Sequence, residues 1–203
     1  ALMQGSSIPE IDMGAAWMKM NDDGSFNLHV GATDLGTGSD TVLSQIAAEV
    51  LTVSVDRIMC HSSDTDTTPF DVGAYASSTT YLSGQAVRKV AADTRRQIMK
   101  VGAEMLGADI DELRVEDASV IHPDGRRVSF GEVAIRSLYE ENQHQIQAVA
   151  SHITHQSPPP FSAHFAEVEI DTETGDLRVL RYVAAVDCGV AINPRLAEGQ
   201  TEG

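Results

Sequence analysis

Twice in this chain an alternating, strand-like run gives way to an apolar stripe at helical spacing, with a glycine- and hydroxyl-bearing loop at each change. Residues 13–20 read as a strand, Asn21-Asp22-Asp23-Gly24 as a turn, and residues 25–31 alternate with Phe26, Leu28 and Val30 on one face. Asp34-Leu35-Gly36-Thr37-Gly38-Ser39-Asp40 follows, and then Val42, Leu43, Ile46, Ala47, Val50 and Leu51 fall on one helical face. Ser39 or Asp40 is the expected N-cap. The second change comes after a strand over 55–61. A polar stretch from Ser62 to Ala76 leads to Ser77-Ser78-Thr79-Thr80. A long helix follows, with a buried stripe of Val87, Val90, Ala91, Ile98, Val101 and Met105 that ends at Gly107.

Beyond Gly107 the pattern predicts a helical turn over 109–113, an extended stretch over 114–121 and a turn at Pro123-Asp124-Gly125. A short helix over 130–140 and a strand over 145–153 come next. Ser157-Pro158-Pro159-Pro160 is the one linker-like segment. After it, Phe161–Ile170 and Leu177–Val186 form a long hairpin, and a helix begins near 195. The fold class is α+β: antiparallel hairpins and sheet packed with helices on one side. Two lobes are expected, about 1–107 and 108–203. Both ends read as cut from a longer chain.

The chain has 203 residues, 42% of them hydrophobic, enough for a sizeable core. Its formal charge of −16, with no Lys/Arg cluster to offset it, argues against nucleic acid and anionic membrane partners. No run is long enough to span a bilayer. Cys60 and Cys188 are expected as two buried free thiols, which fits a reducing, cytoplasmic setting.

The two helix starts are where chemistry is expected. A helix N-terminus presents free N–H groups and a partial positive charge, so it can hold an anion without a lysine. Gly36 and Gly38 permit close approach to the backbone, and Ser77, Ser78 and Thr79 add neutral donors. The alternative is that both loops are ordinary caps. Other motifs fail. There is no nucleotide-binding glycine loop. Asp64-Thr65-Asp66 starts like a calcium loop, but Pro69 stands where glycine is needed. His152 and His155 lack an acidic or cysteine partner in sequence, and Cys60 and His61 point to opposite faces of one strand.

Three stretches, in register from about residue 5 to the end, are similar to the molybdenum-cofactor-binding large subunit of the xanthine dehydrogenase and aldehyde oxidase family. They are Gly31-Ala32-Thr33-Asp34-Leu35-Gly36-Thr37-Gly38, then Asp64–Pro69 with Gly73–Ser78 and Gly84-Gln85-Ala86-Val87, and finally Ala166–Asp171 with Val186–Gly189, Ile192-Asn193-Pro194 and Gly199–Gly203. The resemblance implies a molybdopterin-binding domain. Gly36, Thr37 and Gly38 would form one cofactor cradle and Ala76, Ser77, Ser78 and Thr79 another, with Gln200 reaching the pterin or the metal ligands. The metal would be held by the pterin dithiolene and not by protein ligands. The cofactor would be molybdopterin, in bacteria often the cytosine dinucleotide. Iron–sulfur and FAD centres would sit on partner domains or subunits, alongside the remaining segments of the same large subunit, a small-molecule substrate and a homo-oligomeric parent. The reaction implied is hydroxylation of a carbon with water-derived oxygen. The glutamate base of the family would lie beyond Gly203, since none of Glu49, Glu167, Glu169 or Glu202 stands at its motif position. The fragment alone is therefore expected to be inactive. Thr37 departs from the glutamine that many members carry between the two glycines. That departure keeps open an alternative, a non-catalytic assembly or scaffold module of the same fold.

Overall fold

The computed structural model describes residues 7–140 and 143–202. A four-stranded sheet carries the body, in the order β3-β2-β1-β7. Strands β1 (Met13–Met20) and β2 (Phe26–Val30) form the expected hairpin, with Met20 opposite Phe26 and Ala16 opposite Val30. Alternation sends Ala16, Met18 and Met20 together with Phe26, Leu28 and Val30 to one face, and all six are buried. Trp17 and His29, directly opposite each other, lie on the other face. A one-residue slip would put that Trp–His pair into the core, so burial fixes the register.

Helices α1 (Ser39–Leu51) and α2 (Thr79–Leu106) cover the apolar face. Val87, Val90, Ala91, Ile98 and Val101 of α2 are buried as their spacing predicts, while Met105 packs at the edge of the cluster. Gly14 lets α2 come close to β1. A Cβ at residue 14 would stand 2.7 Å from the Ser83 Cα. Helix α2 ends on Gly107 in the left-handed region, φ 61°.

Strand β3 (Ile58–Ser62) departs from expectation in two ways. Residues 55–57 form a 3-10 turn ahead of it, and it pairs parallel to β2, so the sheet is mixed. The connection through α1 is long enough to return the chain in the same direction, which a tight hairpin cannot do.

Residues 114–121 form two short strands, β4 (Arg114–Glu116) and β5 (Ser119–Ile121). Asp117 and Ala118 turn between them, both with positive φ (48° and 52°). Strand β6 (Arg127–Ser129) completes this small sheet. Helix α3 (Phe130–Tyr139) starts on a capping box: Glu132 N–H donates to Ser129 Oγ, and Ser129 N–H donates to Glu132 Oε2. Strand β7 (Gln147–Ile153) then returns to pair with β1. The main sheet is thus shared by residues on both sides of position 107. The chain leaves the body after Thr154. Strands β8 (Phe161–Ile170) and β9 (Leu177–Asp187) pair only with each other, and α4 (Pro194–Glu202) follows.

The cysteines differ from each other. Cys60 is half-buried, and burial, reinforced by Asp40, pushes its thiol up to about 12. Cys188 is exposed, contrary to expectation, because it follows β9 on the ribbon and not within the core.

Candidate functional site

Because β2 and β3 are parallel and adjacent, their C-terminal ends lie at one edge of the sheet. The two loops of interest leave from that edge, where open sheets commonly place ligands. They touch. Gly31 lies against the second loop so closely that a Cβ there would be 2.3 Å from the Pro69 carbonyl oxygen. Ser63 Oγ donates to the Ala32 carbonyl at 3.4 Å, and Ser62 Oγ to Asp40 Oδ2 at 2.9 Å.

In the first loop the helix start is already filled. Asp34 Oδ1 accepts from the amides of Gly36 (2.9 Å) and Gly38 (3.1 Å), and Asp34 Oδ2 accepts from Asp40 (3.4 Å). Removal from water works to raise this carboxyl, but the amides of Gly38, Gly36, Asp40 and Thr37 outweigh it and hold it below the usual carboxylate value. The N-cap is Gly38 and not Ser39 or Asp40; its φ of 74° is one that glycine adopts without strain. The capping carboxylate comes from four residues upstream. An Asp two residues before a Gly is an Asx-turn signal, so this role could have been read from the sequence.

The second loop differs. Ala76 and Ser77 both have positive φ (51° and 56°). Among the described residues, no backbone acceptor takes the N–H groups of Ala76, Ser77 or Thr79. Ser78 is buried, and its hydroxyl donates back to the Tyr75 carbonyl at 2.9 Å. Ser77 is exposed and Thr79 half-buried. Asp71 braces the approach by accepting from Gly73 N–H (2.9 Å) and Ser83 Oγ (3.0 Å).

Helix α4 reaches the first loop. Asn193 Nδ2 donates to Gln45 Oε1 at 3.1 Å, while Asn193 Oδ1 caps α4 by accepting from Leu196 N–H. The Leu196 side chain fills the space beside Gly38, where a Cβ would come within 2.5 Å of it. Gln200 is exposed and lies one helical turn beyond Leu196 on the same side of α4. Gly36 and Thr37 are exposed, and nothing stands within 4 Å of a Cβ built at Gly36.

Elsewhere the surface offers little. A hollow of about 840 Å³ lies at the far end of α2 among Arg96, Lys100, Glu104 and Asp109. His155 does have an acidic partner, Glu10, at 2.5 Å, but the pair is exposed and isolated. Among the described residues no cluster of three His, Cys, Asp or Glu could hold a metal, and no helix is long and apolar enough to cross a membrane.

Two glycine- and hydroxyl-bearing helix starts at one edge of a mixed sheet define the class: an α+β domain with helices packed on one side of its main sheet. The sequence matches the molybdopterin cofactor-binding domain family over residues 2–203, and the chain belongs to that family. It is 40% identical over 202 residues to the probable hypoxanthine oxidase XdhD of Escherichia coli K12, covering all of this chain and 21% of that protein. It is 33% identical to the putative xanthine dehydrogenase molybdenum-binding subunit XdhA of the same organism, covering 95% of this chain and 26% of the relative. Among solved structures, quinoline 2-oxidoreductase from Pseudomonas putida 86 superposes with a TM-score of 0.86 at 27% identity, over 95% of this chain and 25% of that one. CO dehydrogenase from Oligotropha carboxidovorans gives 0.87 at 25% identity, over 98% and 26%. The chain thus spans about a fifth to a quarter of the length of the relatives it matches.

Proposed function

We propose that this chain supplies part of the molybdopterin-binding site of a molybdenum hydroxylase acting on a purine, aldehyde or N-heterocycle. The observation that carries the reading is the second loop: among the described residues, the amides of Ser77 and Thr79 have no backbone partner at the start of a 28-residue helix, and the hydroxyls of the same two residues stand beside them. Such a start accepts an anion because its N–H groups and helix dipole are unspent. The residues present fit an anionic pterin phosphate in chemistry and in sign.

In this reading Ala76, Ser77 and Thr79 hold the cofactor through main-chain and hydroxyl donors, with the Ala76 amide on the metal side. Ser78 keeps the loop closed through Tyr75. Gly36, Thr37 and Gly38 line the neighbouring wall, and Gln200 reaches across from α4. When bound, the cofactor supplies the two-electron oxidation that adds a water-derived oxygen to carbon. The base that completes the reaction is provided outside these residues, so the chain by itself has no turnover. Iron–sulfur and FAD centres on partner domains or subunits accept the electrons, the cofactor is the cytosine dinucleotide, and the assembled enzyme is a cytoplasmic homo-oligomer.

Metal analysis of the whole subunit tests the reading. About one molybdenum per subunit is expected, as cofactor chemistry requires, and its absence would contradict it. Residues 1–203 alone are expected to show no oxidation of purines or aldehydes with an artificial acceptor. Thr37 favours the second reading, a scaffold module. Threonine cannot offer an amide donor at glutamine's reach. A subunit that assembles without molybdenum would support that alternative.

A further inference from the structure

The described residues leave most of the β8–β9 ribbon uncovered. No residue of either strand is buried. The pairing places Ile170 opposite Leu177, Val168 opposite Val179 and Ala166 opposite Tyr182, all on one face. Val168 is 42% exposed, Val179 54% and Tyr182 59%, on a ribbon about 34 Å long at the usual strand rise. On the same face the Tyr182 hydroxyl and His164 Nδ1 are 2.7 Å apart, so one hydrogen bond is already made there. The opposite face is mixed, with Phe165 across from Val183 at its inner part and Glu167 across from Arg181 and Glu169 across from Arg178 at its outer end. A two-stranded hairpin by itself is marginally stable in water, so an apolar face of this extent needs a partner surface.

Two observations choose the partner. The relatives are four to five times the span matched here, so most of their polypeptide lies outside the matched region. The ribbon is also acidic, with six Asp and Glu against two Arg over 161–187, in a chain of net charge −16, so two copies meeting there would repel. We propose that the Val168–Val179–Tyr182 face is the seat for an apolar surface of the same subunit outside residues 1–203. Seating the ribbon fixes α4, which β9 leads into and which is tied to the first loop by Leu196 against Gly38 and by Asn193 on Gln45. Docking of the ribbon thereby holds Gln200 at the cofactor edge.

The proposal rests on the reading that the chain is part of a larger subunit. It is tested on cofactor-free protein, so its outcome does not depend on molybdenum. Hydrogen exchange is compared between residues 1–203, at two protein concentrations, and the whole subunit. Amides of β8 and β9 are expected to exchange fast at both concentrations in the shorter chain and at least about a hundredfold slower in the subunit. Val179→Asp is expected to abolish that slowing while leaving the thermal midpoint of residues 1–203 unchanged. Equal exchange in both proteins would overturn the proposal. So would protection that rises with concentration in residues 1–203, which would assign the face to a second copy.

Discussion

The two helix starts at the sheet edge look alike in sequence and are opposite in state. At α1 the amides of Gly36, Gly38 and Asp40 point at a carboxylate the chain supplies itself, Asp34. At α2, among the described residues, no backbone acceptor takes the amides of Ser77 and Thr79. The same physics, unpaired N–H groups and a helix dipole, is answered by a side-chain cap in one case and left unanswered by the backbone in the other. A glycine-bearing loop ahead of a helix is therefore not itself a binding site; what decides is whether a side chain already answers the amides.

Turning one start into the other breaks the comparison most sharply. Ser77→Asp places a carboxylate where Asp34 stands in the first loop. It is expected to remove essentially all molybdenum from the subunit while folding is kept, as read by metal analysis and circular dichroism. Ser77→Ala with Thr79→Val removes two neutral donors. At about 0.5–1.5 kcal/mol for each hydrogen bond, cofactor affinity should fall by about fivefold to a hundredfold.

Changes at the first start should act on stability. Asp34→Ala strips the cap of α1 and is expected to cost about 1 kcal/mol, or about 2–4 °C in Tm for a chain of this size. Asp34→Asn should cost less, because an amide oxygen still accepts. Gly38→Ala forces a side chain into positive φ and against Leu196. Adding Leu196→Ala should restore the part due to contact and not the part due to φ, which calorimetry separates.

The pH response has a definite sign. The folded Asp34 carboxyl lies below its usual value of 3.8, so its stabilising effect is in place above that value. It is lost as pH falls further, through the folded value. Acid unfolding of Asp34→Asn should show a shallower fall below pH 4 than the parent chain. The smallest effect concerns the thiols. Cys188 should react with a disulfide reagent at pH 8 well before Cys60, whose thiol is pushed up to about 12.

Much of this fold could be read from side-chain periodicity. The β1–β2 hairpin, both long helices and the 161–186 hairpin follow from alternation, helical stripes and turn residues. What could not be read depends on contacts between distant residues. Strand β3 has no sequence mark for a parallel partner. Asp117 and Ala118 turn with positive φ without a glycine, so 114–121 reads as one strand. Cys188 lies next to apolar residues that find no core within the chain. At the site, the loop residues were legible from their glycines and hydroxyls, whereas the filled state of the first loop lies in which way the Asp34 side chain turns.

The most direct test of the open and closed starts is to follow individual amides by NMR while residues 1–203 take up molybdopterin released from a molybdoenzyme. The Ser77 and Thr79 amide signals should shift and exchange more slowly, while those of Gly36, Gly38 and Asp40 stay in place. Movement of the Gly36, Gly38 and Asp40 signals with Ser77 and Thr79 silent would contradict the account.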